Sequence, residues 1–380
     1  MMDKQNLPTP YYIVYEDRLR GNLEHIRSVA QRAGVEIIMA FKANALWKTF
    51  PIIREYAGGC TVSSPNELKL AADYFGGRIH AYCPVYTADT FPEFLKDCTH
   101  ITFNSLAQYH RYAGQLQGAP RKVSAGLRVN PHCSVIETDI YNPCRPGSRF
   151  GMSAFQIGSE LPEGLEGFHF HALCESSSYD LEKVLESFEK EYGVYLPHLK
   201  WVNMGGGHLM TRKDYDTEHL ISLLGGFKER HPNLEIILEP GSAFTWQTGD
   251  LVTTVLDVVE DSGIRTAIID ASFACHMPDC LEMPYKPAIA EALPDDSHFG
   301  LPYRLGGNSC LSGDFVGDWR FAEPLTEGRR LTLKDMNHYT TVKTNMFNGI
   351  NHPSIYLKKT SGEIELLRHF SYDDYRERMD

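Results

Sequence analysis

Long apolar runs are missing from this sequence of 380 residues, and their absence argues against a membrane-spanning protein. No Cys-x-x-Cys pair occurs among the nine cysteines, and an odd number of thiols favours reduced cysteines in the cytoplasm over a disulfide framework. Residues 1–6 lack the apolar core of a signal peptide, so we expect none. Low-complexity tracts and simple repeats are also missing. The sequence therefore indicates a cytoplasmic globular protein with no membrane partner.

Positive charge is scarce as well. Lysine and arginine number 37 against 49 aspartates and glutamates, which gives a formal net charge of −12. This excess of negative charge disfavours nucleic acid as a partner and favours a cationic ligand. The length is sufficient for two domains, or for one barrel with an appendage.

Short β-branched or aromatic runs alternate with helical patterns between residues 35 and 240. In residues 179–192, for example, apolar side chains recur at the spacing of one helix face. The predicted strands end near Phe41, Ser63, Pro84, Asn104, Asn130, His171, Gly205 and Glu239. Eight strands alternating with helices predict an α/β fold with a TIM-like (β/α)8 barrel over residues 35–240. An open doubly wound sheet with eight strands is the alternative.

The pattern changes in residues 241–380. Here β-like segments are joined by glycine, proline and aspartate turns, which predicts a mainly β domain. Its predicted strands are Leu251–Val259, Arg265–Asp270, Arg330–Leu333, Tyr339–Lys343 and Ile355–Leu357. Residues 1–34 form an N-terminal segment, and its strand-like part Pro10–Tyr15 is expected to pair with the β domain instead of the barrel.

Lys42 follows a buried-strand pattern and is followed by small and polar residues. A lysine at the end of such a strand loses hydration, so its amine is neutral more easily and attacks carbonyl groups more readily. A Schiff-base lysine requires this property. The alternative is a lysine whose amine extends from the strand end into solvent.

Three further motifs lie at the ends of predicted strands. They are His169-Phe170-His171, Gly205-Gly206-Gly207 and Glu239-Pro240-Gly241. In a barrel they would converge with Lys42 on one mouth, where such enzymes keep their active sites. Together they predict one composite site.

Each motif has a functional and a structural interpretation. His169 and His171 face the same way along a strand, so they either hold a metal with Cys174 and Glu175 or place an imidazole against a flat cofactor ring. A buried structural histidine is the further alternative for His169.

The glycine and glutamate motifs are open in the same way. Three glycines let backbone N–H groups cradle a phosphate, whereas a tight turn needs only one. Glu239 either keeps a pyridine nitrogen protonated, which strengthens the ring as an electron sink, or forms an ordinary salt bridge.

In this order, the motifs resemble those of the pyridoxal-phosphate decarboxylases of the alanine-racemase fold type. The matching segments are Lys42-Ala43-Asn44, Ser148-Arg149-Phe150-Gly151, His171, Gly205-Gly206-Gly207, Glu239-Pro240-Gly241, Gly306-Gly307-Asn308-Ser309-Cys310, and Tyr339 eight residues before Phe347-Asn348-Gly349. The resemblance covers nearly the whole chain. It implies a barrel followed by a β domain, with pyridoxal phosphate (PLP) as cofactor.

Within this group the chain resembles the carboxynorspermidine/carboxyspermidine decarboxylases. Leu173-Cys174 stands where many relatives carry Gly-Ser, and Ser242 replaces the arginine of a Glu-Pro-Gly-Arg motif. Both lost groups usually help to hold the cofactor phosphate, so the resemblance implies a greater dependence on the Gly205–Gly207 amides and on Tyr339. The implied activity is decarboxylation of carboxynorspermidine, carboxyspermidine or both in polyamine biosynthesis.

The resemblance also implies roles for single residues. Lys42 holds the cofactor and His171 stacks on its ring. Glu239 supports the loss of CO2, and Cys310 protonates the resulting carbanion. The resemblance further implies a homodimer in which Lys42 of one subunit and Cys310 of the other contribute to the same active site. A small buried hydrophobe is the alternative for Cys310.

The cationic tail of the implied substrate requires carboxylates. Asp279, Asp314, Glu282 and Asp318 lie in or near the loops around Cys310. The first two are the leading candidates, and solvated loop acids are the alternative.

Other activities stay open at this point. The nearest rival is a decarboxylase of the same fold acting on diaminopimelate, ornithine or arginine. A racemase fits less well because it needs a second base facing Lys42. A metal-dependent hydrolase would use His169, His171 and His208, but its histidine pair is expected on the first barrel strand, so we predict no metal. A catalytically silent cofactor-binding protein would keep Lys42 without decarboxylation.

Overall fold

The computed structural model describes residues 7–380. Residues 1–6, on which the expectation about a signal peptide depends, lie outside the described residues. The chain divides into two compact units, one formed by Asn22–Phe244 and the other by residues 7–21 together with Thr245–Asp380. The divisions fall after Gly21 and Phe244, whereas the sequence placed them after residues 34 and 240.

The strands of residues 7–380 follow one another along the chain. They are β1 (Tyr11–Tyr15), β2 (Glu36–Ile37), β3 (Met39–Ala40), β4 (Gly59–Val62), β5 (Arg78–Tyr82), β6 (His100–Phe103), β7 (Ser124–Arg128), β8 (Leu165–His169), β9 (Trp201–Asn203), β10 (Glu235–Leu238), β11 (Gly249–Asp261), β12 (Ile264–Ile269), β13 (Leu301–Gly306), β14 (Phe315–Phe321), β15 (Arg330–Leu333), β16 (Ser354–Lys358) and β17 (Ile364–Arg368).

The α-helices of the same residues are α1 (Glu16–Ala33), α2 (Phe50–Arg54), α3 (Pro65–Leu70), α4 (Phe91–Asp97), α5 (Leu106–Gln117), α6 (Ala154–Ile157), α7 (Ser178–Tyr192), α8 (Thr217–Arg230), α9 (Ser242–Thr245), α10 (Phe273–His276), α11 (Pro278–Glu282) and α12 (Tyr372–Met379). Serine or aspartate side chains cap several helix N-termini, as Ser177 does for α7. None of the helices in residues 7–380 combines the length and apolarity needed to cross a bilayer.

The first unit is a parallel barrel. Its strands are ordered β2-β10-β9-β8-β7-β6-β5-β4-β3, and β2 and β3 are two halves of one strand interrupted at Ile38. Since β2 pairs with β10 and β3 with β4, the interrupted strand brings the two ends of the sheet together. The predicted (β/α)8 barrel is confirmed, and each strand ends one or two residues before its predicted end.

Trp201 fills the middle of the barrel. Its indole packs with Ile38 and Ile237 and donates to Ser124 Oγ at 2.8 Å. Two neighbouring strands carry glycine opposite the ring, since a Cβ on Gly126 or Gly167 would lie 2.2 or 2.0 Å from indole atoms. The aromatic residue and the two glycines therefore form one packing unit.

Replacing Gly167 by alanine should destabilise the barrel by about 3 kcal/mol, at the upper end of the usual cost of overpacking. The added methyl group would overlap the Trp201 ring, which is itself only 2% exposed. The measurement is the free energy of unfolding in urea. Gly114→Ala is the matched control, because Gly114 lies inside α5 with no atom within 4 Å of its Cβ position, so this change should be neutral or stabilising. Equal stability of the two variants would contradict the packing argument.

The second unit is a mainly β domain. Its sheet has the order β14-β13-β12-β11-β1-β16-β17, with β15 also paired to β11. Strand β1 lies between β11 and β16, antiparallel to the first and parallel to the second. Tyr11, Ile13 and Tyr15 pack there against Val252 and Tyr356.

One predicted strand of this domain is wrong. Tyr339–Lys343 forms turns, and Tyr339 has a φ of +52°, which is incompatible with an extended chain. Strands β13, β14 and β17 were not predicted, because their apolar residues alternate irregularly with charged and aromatic ones.

Candidate active site

A cavity of about 660 Å³ opens at the carboxyl ends of the barrel strands. Its lining includes Lys42, Tyr82, Arg128, His169, His171 and Glu239, together with residues of the loop between β7 and α6. The structure therefore brings together the lysine, both histidines and the glutamate that the sequence placed at strand ends.

Lys42 lies two residues after β3 and projects into the cavity. Water reaches its side chain through the open mouth, yet the surrounding walls strip enough hydration to lower the pKa of the amine. The charge of Arg128 acts in the same direction, and that of Glu239 opposes both. A lowered pKa increases the fraction of neutral, nucleophilic amine at physiological pH.

Glu239 is a buried carboxylate with two side-chain partners. His169 Nε2 lies 3.0 Å from one oxygen, and Asn203 Nδ2 donates to the other at 3.1 Å. Burial raises the pKa of Glu239, but the interaction with His169, the charge of Lys42 and the hydrogen bond from Asn203 outweigh it and hold the pKa at about 2. Glu239 is therefore an anion throughout the physiological range.

His169 is neutral in this arrangement. Burial lowers its pKa, and the attraction of Glu239 only partly offsets the effect. Because the carboxylate accepts, Nε2 carries the proton, and Nδ1 is a buried atom without a protein hydrogen-bond partner. His169 thus orients the carboxylate, and the predicted alternative of a structural histidine describes part of its role.

His171 also presents a neutral imidazole to the cavity. Burial and the charge of Lys42 lower its pKa well below the usual value. Its Nδ1 accepts from the amide of Gly206 at 3.0 Å, which leaves the proton on Nε2 and fixes the ring plane. A flat neutral ring in this position suits stacking on an aromatic ligand.

Close backbone packing requires all three glycines of the Gly205–Gly207 turn. A Cβ on Gly205 would lie 2.4 Å from the Phe170 carbonyl oxygen, and one on Gly206 2.6 Å from that of Glu239. On Gly207 it would lie 2.3 Å from the Leu173 carbonyl group. The argument that packing would need only one glycine is therefore wrong.

Two amides of this turn are already used within the protein. Gly205 N–H donates to Asn203 Oδ1 at 2.9 Å, and Gly206 N–H donates to His171. The phosphate contact of this turn stays a prediction, and the glycine count no longer supports it.

Arg128 was missed at the level of sequence. It ends β7, is 4% exposed, and lies over the rings of Tyr82 and Phe150 at 4.6 and 4.5 Å. It donates to the His171 carbonyl oxygen at 3.3 Å. The criterion that selected Lys42, a cation at the end of a buried strand, would have found Arg128 too.

The β domain holds the remaining nominated residues. The Cys310 side chain is exposed, and its amide donates to Asn348 Oδ1 at 2.7 Å. Tyr339 is half-buried in a left-handed conformation, and its contact with a phosphate stays a prediction.

The four nominated carboxylates of this domain all have protein partners, and that of Asp318 is Arg304 at 3.0 Å. Asp314 is 3% exposed and accepts hydrogen bonds from Ala274 and Ser309, which disfavours its predicted contact with the substrate. Asp279 and Glu282 both pair with Lys343, the former at 2.6 Å. A cationic tail would have to compete with this lysine for them. Residues 7–380 contain no group of three or more His, Cys, Asp or Glu side chains placed to hold a metal ion.

Comparison with known proteins supports this chemistry. Residues 13–337 match the family described as pyridoxal-dependent decarboxylase, C-terminal sheet domain. The chain therefore belongs to the pyridoxal-dependent decarboxylases. It is a PLP-dependent carboxy-lyase, and its fold and cofactor agree with those predicted from the sequence.

Full-length relatives within this family allow a more specific comparison. The chain is 47% identical to carboxyaminopropylagmatine decarboxylase of Synechocystis sp., over 98% of this chain and 96% of the relative. It is 39% identical to carboxynorspermidine/carboxyspermidine decarboxylase of Campylobacter jejuni, over 98% of both chains. The structure of carboxynorspermidine decarboxylase from C. jejuni, complexed with norspermidine, superposes with a TM-score of 0.90 at 38% identity, covering 98% of this chain and 100% of the other.

PLP fits the donors of the cavity. Lys42 supplies an amine of lowered pKa for the cofactor's aldehyde, and Glu239 supplies a buried anion for the pyridine nitrogen. His171 supplies a neutral ring for the cofactor's face. The lining of the cavity therefore fits this cofactor.

Proposed function

We propose that this enzyme decarboxylates an α-amino acid that carries a polyamine or agmatine tail. The main supporting observation is the sequence identity to two full-length relatives. The chain is 47% identical to a carboxyaminopropylagmatine decarboxylase and 39% identical to a carboxynorspermidine/carboxyspermidine decarboxylase. Identity to diaminopimelate decarboxylases is only 22–24%. The net charge of −12 also suits a cationic substrate.

The chain's own residues divide the work of the reaction. When bound, PLP supplies an electron sink for the charge left on the α-carbon after CO2 departs. Lys42 would hold the cofactor through its aldehyde, and the lowered pKa of the amine suits this role. Glu239 would keep the pyridine nitrogen protonated, and His169 and Asn203 hold its carboxylate in place.

The remaining steps concern orientation and proton return. His171 would stack on the cofactor ring and orient it, because the plane of its own imidazole is set by the Gly206 amide. Cys310 Sγ delivers the proton that completes the product at the α-carbon. The thiol is exposed in the isolated chain, which suits a group that acts on a ligand.

We also propose a cytoplasmic homodimer that pairs Lys42 of one subunit with Cys310 of the other. The resemblance to the family supports this assembly, because Lys42 and Cys310 both lie in segments that match the family's motifs. A fully active monomer in solution would contradict it. The nine cysteines without a Cys-x-x-Cys pair support a reducing compartment.

The substrate is tested by measuring kcat/KM on one panel. It contains carboxyaminopropylagmatine, carboxynorspermidine, carboxyspermidine, diaminopimelate, ornithine and arginine. We expect the three carboxylated aminopropyl compounds to exceed the others by about 10³-fold, since a shorter substrate lacks the distal cations that such a site is expected to bind. The 47% relative favours carboxyaminopropylagmatine as the best of the three, which differs from the substrates expected from sequence. Comparable turnover of ornithine or diaminopimelate would overturn the proposal.

A further inference from the structure

The loop of residues 307–314 joins β13 to β14 and presents Cys310. Although the thiol is exposed, the backbone at Cys310 and the residue before it are held by hydrogen bonds. The Cys310 amide donates to Asn348 Oδ1 at 2.7 Å, and the preceding Ser309 binds Asp314. These contacts restrain the peptide that carries the thiol.

Asp314 organises the loop from beneath. Its carboxylate accepts from Ser309 Oγ at 2.6 Å, from Ser309 N at 3.2 Å and from Ala274 N at 2.9 Å. Three donors offset the cost of burying this anion. A Cβ on Gly307 would lie 2.2 Å from the Asp314 carboxylate, so a glycine is needed for the close approach.

Asn348 restrains the loop from the other side. Its φ of +57° and ψ of 13° place it in the left-handed region, which asparagine tolerates better than most residues. This conformation sits at the centre of the short turn Phe347–Gly349 and turns the side-chain oxygen toward the Cys310 amide. A strained backbone that makes one specific contact is typical of a functional position.

Both restraints share one anchor, residues 274 and 275 of α10. Ala274 donates its amide to Asp314 and accepts from Asn345 Nδ2 at 2.8 Å. Cys275 accepts from the Asn345 amide at 2.9 Å. The two segments that hold the Cys310 loop are therefore tied to the same turn of helix and keep a fixed spacing.

We propose that Asn348 and Asp314 are positioning residues for the Cys310 thiol. Asp314 holds the loop in place through Ser309, and Asn348 orients the peptide group of Cys310 by accepting from its amide. The proposal depends on Cys310 being the proton donor of the proposed function. It assigns Asp314 to the loop instead of to the tail of the substrate.

The test compares Asn348→Gly with Asn348→Asp in the PLP-loaded enzyme. Glycine keeps the left-handed backbone but removes the acceptor, whereas aspartate keeps an acceptor oxygen. We expect kcat of Asn348→Gly to fall about 10²-fold with KM nearly unchanged, because a misplacement of about 1 Å costs that much. Asn348→Asp should restore most of the rate. Hydrogen exchange of the Cys310 amide should accelerate about tenfold in the glycine variant alone.

Ser262→Gly is the control for backbone effects. Ser262 is an exposed residue with a φ of +51° in the turn between β11 and β12, so it reports what relief of left-handed strain does without touching Cys310. Unchanged exchange in Asn348→Gly would overturn the restraint, and faster exchange with wild-type kcat would overturn its role in positioning. Full activity of Cys310→Ala would instead refute the proton-donor role, while the exchange data still report on the restraint.

Discussion

Replacing Lys42 by alanine should lower kcat by about 10⁴-fold or more, since the nucleophile that binds the cofactor aldehyde is removed. The variant should also lose the absorbance at about 420 nm that marks PLP bound through a lysine. Borohydride reduction of the wild-type enzyme should leave a pyridoxyl group on the peptide that contains residue 42, detectable by mass spectrometry. The lowered pKa of Lys42 is the physical basis of this expectation.

Lys48→Ala is the matched control for the loss of a lysine. Lys48 lies six residues along the chain in the short turn Trp47–Thr49, with its ammonium 5.5 Å from the Trp47 ring and outside the cavity lining. We expect it to keep both colour and activity. A yellow, active Lys42→Ala variant, or a pyridoxyl group on another lysine, would refute the assignment.

Replacing Glu239 by glutamine should lower kcat by about 10³-fold, because removal of a preorganised charge at the reacting system typically costs this much. The amide has no negative charge to hold a proton at the pyridine nitrogen, so the ring becomes a weaker electron sink. Cofactor should still bind through Lys42, and its absorbance should persist. The measurements are kcat and the cofactor spectrum as a function of pH.

Glu235→Gln provides the control on the same strand. Glu235 begins β10 and pairs with Arg78, whereas Glu239 follows the end of that strand. Its loss should leave kcat within about twofold, because exposed ion pairs are worth little. Equal losses of activity in the two variants would show that the strand as a whole had been disturbed.

The depressed pKa of Glu239 also predicts how stability responds to acid. Its folded value of about 2 lies below the reference value of 4.5, so its contribution is fully present above about pH 4.5. That contribution is lost as the pH falls toward 2. Unfolding free energies measured across this window should therefore depend less on pH in Glu239→Gln than in the wild type.

The barrel was predictable because its signals are local. Each buried parallel strand reads as a short apolar run, and Lys42, His169 and Glu239 stand out because charged or titratable side chains are rare at the ends of such runs. The β domain was harder. Tyr339–Lys343 looks extended, but the left-handed turn at Tyr339 is set by tertiary contacts that propensity does not contain.

Among the residues of the site, those that depend on tertiary contacts were also harder to predict than those with a local signal. Asp314 was nominated for its charge, but only the fold shows that its carboxylate is buried and bound to Ser309 and Ala274. Asn348 lies in the motif Phe347-Asn348-Gly349, but the sequence suggested no role for it because its partner, Cys310, lies 38 residues away. The glycines of the Gly205–Gly207 turn were interpreted through a ligand, although backbone packing alone accounts for them.

The contact of Trp201 with Gly126 and Gly167 has a consequence for how this barrel evolves. Any side chain on either glycine overlaps the indole, and any smaller residue at position 201 leaves a void. A single substitution at Gly126, Gly167 or Trp201 is therefore destabilising, and a different packing at these positions requires two or three coupled substitutions. The packing inside the barrel therefore couples these three positions, so that a substitution at one of them depends on the residues at the other two.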